Sequence, residues 1–316
     1  MSATLAGKRA TVMGLGTYGG GIGVARYLAE AGAIVTVTDR QPEENLAAAR
    51  AELADLPIRY VLGRHEEADF LPGGADFVVR NPGVPRRAPL LELARRHGVP
   101  VEMEMTLFFR ACPAPIIGVT GTKGKTTVAT LTAALLRSCN PATVLAGNMG
   151  ISALGQLAAI TPETPVVIEL SSWQLEGLLE HGLAPAIAVI TMIAEDHLNT
   201  YDGFADYAAV KRGITRHQRP GDTLILNRDD SEAWQAAQET AATVVPFGRG
   251  DRDGDGVWLE DDQVLIKRDG NVVTIPIPDN PALAGPHTRL NAAAAIAAAS
   301  VRGADPAAIG AGLAGF

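Results

Sequence analysis

The stretch Pro115-Ile-Ile-Gly-Val-Thr-Gly-Thr-Lys-Gly-Lys-Thr-Thr127 decides the fold of the second part of this chain. Ile116 to Val119 is a short apolar run and reads as a buried strand. It empties into a Gly- and Lys-rich turn, and Val128 to Leu136 beyond it reads as a helix. A strand, a Gly-Lys-Thr turn and a helix N-terminus make a phosphate cradle: free backbone N–H groups, the positive end of the helix dipole, a Lys charge and a hydroxyl for Mg²⁺. The ordinary Walker spacing of Gly, four residues and Gly-Lys-[Ser/Thr] is not met. The core is Gly121-Thr-Lys-Gly-Lys-Thr-Thr127, with a shorter gap. The bland alternative is a Gly-rich turn with two solvated lysines. Composition weighs against it: the chain has 22 Arg but five Lys, and two of the five, Lys123 and Lys125, lie in this loop. A Lys in an Arg-favouring sequence points to a need for a compact ammonium.

Working outward, 316 residues are long for one domain and comfortable for two. The chain is 47% hydrophobic with a mean hydropathy of +0.12, which suits an α/β protein with sizeable cores. A net charge of −8 argues against a general nucleic-acid or anionic-membrane surface. Cys112 and Cys139 have no metal-ligand spacing, and two isolated thiols suggest a reducing, cytoplasmic setting. The N-terminus lacks a long apolar core, and no apolar run reaches membrane-span length.

Before the phosphate loop, Arg9 to Met13 reads as a strand, followed by Gly14-Leu-Gly16-Thr-Tyr-Gly19. A helix then runs to Glu30, and a strand from Ala33 to Thr38 ends in Asp39. A strand at Asp76 to Val79, a turn at Asn81 to Pro85 and a helix at Leu90 to His97 follow. Alternating β and α with short connections predicts a parallel sheet. Cys112-Pro-Ala-Pro115 is the best linker, dividing residues 1–112 from 113–316. The second part also alternates, with strands at Thr143 to Leu145, Val166 to Leu170, Ile187 to Thr191 and Thr223 to Leu226. Past Val244 the runs Val257 to Leu259, Val264 to Lys267 and Val272 to Ile277 predict short antiparallel strands. The expected fold is α/β: a Rossmann-like first domain, then a P-loop-type ATPase domain with a mainly parallel sheet and a small antiparallel extension.

Gly14-x-Gly16-x-x-Gly19 with Asp39 about twenty residues on matches a dinucleotide fingerprint. By itself it leaves NAD, another nucleotide diphosphate and a packing turn open. Glu169 ends an apolar strand, where a Mg²⁺-binding carboxylate or a helix-capping acid would sit. Glu195-Asp196-His197 follows the next strand, and His197 reads equally as a ligand or a polar loop residue. Lys211 falls in a helix, where a Lys is ordinarily solvated. Asp251-Arg-Asp-Gly-Asp-Gly256 resembles a calcium loop, but its twelfth position is Asp262 and its flanks read as strands, so it reads as a hairpin turn.

Gly121 to Thr127, Gly147-Asn148-Met-Gly150, Glu169-Leu-Ser-Ser-Trp-Gln-Leu-Glu176, Glu195-Asp196-His197, Lys211 and His287 to Asn291 occur in one order. Together they resemble the Mur ligase family of peptidoglycan synthesis, over essentially the whole chain. Within it, the Gly-Leu-Gly loop, Asp39-Arg40 and Asn81-Pro-Gly83 resemble the branch that adds D-glutamate to UDP-N-acetylmuramoyl-L-alanine. The resemblance implies a UDP site from Leu15, Gly16 and Thr17 near the diphosphate and Asp39, Arg40, Asn81 and Gly83 near the uracil. It implies ATP held by Gly121, Thr122, Lys123, Gly124, Lys125, Thr126 and Thr127, with His287 and Asn291 approaching the nucleotide. Asn148 and Ser171 would line the muramoyl-alanine groove. Two Mg²⁺ ions would be held by Thr126, Glu169, His197 and Lys211, with Lys211 carbamylated. That accounts for a Lys rather than an Arg, since only a neutral amine takes up CO₂. Lys125, Glu169, His197 and Lys211 would be the catalytic set. Thr288 stands where the family often has Asn, so no role is carried to it.

The implied reaction is ATP-dependent: the substrate carboxylate becomes an acyl phosphate, which the D-glutamate amine attacks. The expected enzyme is a cytoplasmic monomer. The family has a further C-terminal domain that carries most of the D-glutamate site, and this sequence stops about where it should begin. The expectation is therefore UDP-substrate binding with weak or no ligation. The competing functions are another Mur ligase adding a different amino acid, a nucleotide-sugar-binding fragment without catalysis, and a nicotinamide oxidoreductase using the first Gly-rich loop.

Overall fold

The computed structural model describes residues 5–16, 20–148, 150–196 and 200–316. The chain divides into two compact units: Met1–Ala111 with Gly150–Ala158, and Cys112–Met149 with Ala159–Phe316.

The first unit is built on β1 (Arg9–Met13), β2 (Ile34–Asp39), β3 (Ile58–Leu62), β4 (Phe77–Arg80) and β5 (Val101–Glu102). All pair in parallel, in the order β3-β2-β1-β4-β5. Central β1 is buried after its first residue, as expected of an apolar run covered on both faces. The strand order reverses between β1 and β4, so the loops after those strands, at Gly14 and Asn81, open at the switch point where such sheets bind ligands. Residues 150–158 pack with this unit, whereas a division at 112/113 assigns them to the second part. A part-buried carboxylate ties them there: Glu104 accepts hydrogen bonds from the Ser152 hydroxyl at 2.6 Å and the Ala153 N–H at 2.9 Å. Gly23 leaves the notch that admits Ser152, because a Cβ at 23 would collide with the Ser152 side chain.

The second unit contains β6 (Ile116–Thr120), β7 (Val144–Gly147), β8 (Val166–Glu169), β9 (Ile187–Ile190), β10 (Thr223–Asn227), β11 (Thr243–Arg249), β12 (Gly256–Glu260), β13 (Gln263–Arg268) and β14 (Asn271–Pro276). They form one sheet in the order β14-β13-β12-β11-β10-β9-β6-β8-β7. Every pairing from β7 to β12 is parallel, and β12-β13-β14 is antiparallel. The antiparallel extension is therefore present, but its first strand also joins the parallel sheet through β11. The acidic loop before β12 is not a hairpin turn. It doubles back, with Arg252 over the Trp258 ring and the Lys267 ammonium donating to the Arg252 carbonyl at 2.9 Å.

The core of this unit joins the sheet to the helices Lys125–Arg137, Pro286–Val301 and Pro306–Ala314. Ala292 to Ala299 are all at most 1% exposed. Small side chains on every face let that helix lie buried between its neighbours, as a helix apolar all round must. Among the described residues, no helix is long and apolar enough to cross a membrane.

Candidate functional site

β6 is buried throughout and delivers the chain to the phosphate loop at its carboxyl end. Gly121 takes φ +145° and Gly124 takes φ +85°, a region that favours glycine. A Cβ at 121 would collide with Thr191 Oγ1, and one at 124 would stand 2.5 Å from Asn291 Oδ1. Asn291 therefore lies against the loop. The helix Lys125–Arg137 starts at Gly124 without a side-chain cap, which leaves its first-turn N–H groups for an anion. Lys123 and Thr126 are exposed, and Lys125 and Thr127 are half-buried. The Lys125 ammonium lies along the loop and donates to the Thr122 carbonyl at 2.9 Å.

The loop is shaped by the segment following β9. The Thr191 hydroxyl donates to the Lys123 carbonyl at 2.6 Å, and the Thr122 N–H donates to the Met192 carbonyl at 2.7 Å. The Asn227 amide, 5% exposed, holds the Thr191 carbonyl from behind at 2.7 Å. Thr122, an expected nucleotide contact, instead turns its side chain inward, bonded to Ala194 and 3.2 Å from the Tyr207 hydroxyl.

Glu169 ends β8, 2% exposed. The Asn148 amide donates to its Oε1 at 3.1 Å, while Oε2 is buried with no hydrogen-bond partner. Asn148 is thus brought to Glu169. The Ser171 hydroxyl is used within its own helix instead of lining a groove. It caps the helix Ser172–Glu180 in a reciprocal capping box with Gln174. Lys211 is 2% exposed, in the helix Phe204–Arg212. Burial, helped by the nearby Lys125 charge, lowers its pKa to about 7 against the opposing pull of Asp196 and Glu169. The solvated-lysine reading therefore does not hold for Lys211. His287 is exposed in the first turn of the helix Pro286–Val301. His197 lies outside the described residues, as do Thr17 and Gly19 of the first Gly-rich loop.

A second set of expected residues converges in the first unit. Asp39 is 8% exposed, and its carboxylate accepts from the N–H groups of Leu15 at 2.9 Å, Gly16 at 3.4 Å and Gln41 at 2.9 Å. The Leu15 N–H, expected near a diphosphate, is thus committed to Asp39, and the Leu15 side chain is in the core. Arg40 and Gly83 line a cavity of about 330 Å³ together with Asp39, Gly14 and His65. Asn81 accepts the Gly83 N–H at 3.1 Å on its own side chain.

A family model described as the Mur ligase middle domain matches residues 119–299, more than half of the chain. The chain belongs to the Mur ligase family. A second model, the Mur ligase MurD-like N-terminal domain, matches residues 8–102. This Mur ligase chain is 49% identical over 316 residues to the UDP-N-acetylmuramoylalanine–D-glutamate ligase of Roseiflexus sp., covering 96% of the chain and 66% of that protein. It is 40% identical over 290 residues to the protein of the same name from Trichlorobacter lovleyi, covering 92% and 64%. The chain thus spans just under two thirds of the length of these curated relatives. Among solved structures, the UDP-N-acetylmuramate:L-alanyl-gamma-D-glutamyl-meso-diaminopimelate ligase of Neisseria meningitides superposes with a TM-score of 0.66 at 21% identity, covering 98% of both chains. The UDP-N-acetylmuramate-alanine ligase MurC of Thermotoga maritima gives 0.56 at 24% identity, covering 98% of this chain and 68% of that one. At those identities the likeness is one of fold, and it is the α/β fold with a mainly parallel sheet.

The Mur ligase chain can be tested for a divalent cation on its own atoms. The buried, unpartnered Glu169 Oε2 is an oxygen that a cation would satisfy. Among the described residues, no three His, Cys, Asp or Glu side chains converge. Sequence reasoning missed Thr191, Asn227 and Tyr207. Tyr207 lies one helical turn before Lys211, and that i, i+4 spacing was the available signal.

Proposed function

We propose that the protein is an ATP-dependent ligase that adds D-glutamate to UDP-N-acetylmuramoyl-L-alanine, acting as a cytoplasmic monomer. The observation that carries this reading is the meeting of an uncapped, glycine-shaped phosphate loop with the buried Glu169 carboxylate and a lysine whose pKa is pulled to about 7. The names of the relatives at 49% and 40% identity support the choice of substrate.

In this reading the N–H groups at Lys125, Thr126 and Thr127 and the Lys125 ammonium hold the ATP phosphates, with Asn291 and His287 toward the rest of the nucleotide. Thr126 and Glu169 would hold Mg²⁺, with His197 and a carbamate on Lys211 supporting a second ion. Bound there, Mg²⁺ supplies neutralisation of the charge on the transferred phosphoryl group. At a pKa of about 7, about half of Lys211 is a neutral amine at pH 7, against roughly one in three thousand for an ordinary lysine. Burial thus keeps Lys211 available for CO₂. The muramoyl-alanine carboxylate takes the γ-phosphoryl group to give an acyl phosphate, and the D-glutamate amine displaces phosphate. The cavity at Asp39, Arg40, Gly83 and His65 is the proposed seat of the uridine end.

The test is ADP formation by the purified protein with UDP-N-acetylmuramoyl-L-alanine and MgATP, comparing D-glutamate with L-alanine, diaminopimelate and L-lysine. Calorimetric titration with MgATP and with the UDP-sugar runs beside it. Binding of both ligands, with at most weak release that D-glutamate alone stimulates, supports the reading. Binding of neither ligand, or stimulation by another amino acid, overturns it.

A further inference from the structure

The Thr122 hydroxyl has one hydrogen and two lone pairs, and all three are engaged inside the protein. It donates to the Ala194 carbonyl at 3.1 Å and accepts from the Ala194 N–H at 3.0 Å. Its third neighbour is the Tyr207 hydroxyl at 3.2 Å, and either oxygen can donate that bond. The Thr122 N–H is spent on Met192, and its carbonyl receives the Lys125 ammonium. Thr122 is 7% exposed and has no hydroxyl capacity left for a ligand, although it lies in the middle of the phosphate loop.

Tyr207 is the other half of the contact. It is 1% exposed and packs edge-on against Tyr201, ring centroids 5.4 Å apart. Its ring lies under Lys211, with Nζ 5.2 Å from the centroid. One side chain thus touches the phosphate loop with its hydroxyl and the buried lysine with its face. A rigid aromatic ring with two torsions transmits a displacement between those points better than a flexible chain.

We propose that Thr122 and Tyr207 are a positioning pair that holds the phosphate loop in register with the helix carrying Lys211, so that nucleotide binding at the loop and the placement of the lysine are linked. This rests on the loop being a MgATP site. It gives Thr122 a role behind the loop rather than on the nucleotide, and it gives Tyr207 a role no packing argument requires, since Phe would fill the same space.

Tyr207→Phe deletes the contact from the ring side at nearly constant volume, Thr122→Val removes it together with both Ala194 bonds, and Thr122→Ser keeps the hydroxyl. MgATP affinity is measured by calorimetry on wild type, the three single variants and the Val/Phe double variant, with thermal melts alongside. Tyr207→Phe is expected to weaken binding about 5- to 20-fold, the scale of one buried hydrogen bond, and Thr122→Val at least as much, since it also strips Ala194 of two bonds. The double variant should be no weaker than Thr122→Val by more than about twofold, because that single has already lost the contact with Tyr207. Thr122→Ser should bind within about threefold of wild type. Multiplied losses in the double variant, or lowered melting temperatures with unchanged affinity, overturn the proposal. Hydrogen exchange without nucleotide provides an arm independent of the ligase reading. Tyr207→Phe should speed exchange at residues 121–125 and Thr122→Val at residues 204–212. If wild type fails to bind MgATP, the functional reading falls while exchange still decides this pair, and absence of both cross-effects overturns it.

Discussion

Lys211 places a function against stability, and the size of the conflict follows from its surroundings. Its pKa is lowered from 10.5 to about 7, chiefly by burial. In the unfolded chain the amine holds its proton up to about 10.5; in the folded chain it gives it up near 7. Between those values the unfolded state binds more protons, so native stability rises with pH across the window from about 7 to about 10.5. Below pH 7 the charged amine carries the full penalty of burial. Integrated from pH 7 to pH 9, this one group should add about 2 kcal/mol of stability. Lys211→Met keeps the apolar stem and removes the titration. In CO₂-free buffer, urea unfolding at several pH values should therefore show wild type gaining about 2 kcal/mol on the variant between pH 7 and pH 9. The variant should also be the more stable protein at pH 7, although loss of a cation near Glu169 takes back part of that gain. Parallel stability curves for the two proteins would refute the reasoning, because they would mean that Lys211 is charged in the fold. MgATP affinity of Lys211→Met, measured by calorimetry, should fall at least about tenfold if the group is part of the metal site.

Gly121→Ala should abolish MgATP binding in calorimetry and lower stability by about 2 kcal/mol or more, because the new Cβ would strike Thr191 Oγ1 at a φ that L residues avoid. Glu169→Gln should leave the melting temperature within a few degrees of wild type while raising at least tenfold the Mg²⁺ concentration needed for half-maximal ATP binding in calorimetry. Asp39→Asn should lose about 1–3 kcal/mol in urea unfolding, since the carboxylate serves the Leu15, Gly16 and Gln41 N–H groups together. Glu104 has its pKa raised by burial, so its favourable contribution is present below the ordinary carboxylate value and is lost as pH rises through its own. Glu104→Gln should therefore gain on wild type in thermal melts as pH is raised from 4 to 8, and an unchanging difference would show that the carboxyl is not desolvated.

The phosphate loop was legible because its chemistry is local. Gly, Lys and Thr at fixed spacing, after an apolar strand and before a helix, leave few other uses for so many small and cationic residues. Glu169 was legible for the same reason, at the end of a run of four buried strand residues. The acidic loop at 251–256 was not, because pairing partners are not local: nothing in Asp-Gly spacing says that β12 runs parallel to β11. The family resemblance made Thr122 and Ser171 expected ligand contacts. Whether each is available depends on Ala194 and Tyr207 in one case and on Gln174 in the other.

The sequence alone determined the two nucleotide-type openings, the alternating α/β order and the use of a lysine, because these rest on residue type and on periods of two or 3.6 along the chain. The tertiary structure decided which polar groups remain free. Hydrogen-bond capacity is finite, and residues tens of positions apart compete for it. Asp39 takes the Leu15 N–H, Thr191 takes the Lys123 carbonyl, and Glu169 keeps a buried oxygen unpartnered near a lysine that burial has brought close to neutrality.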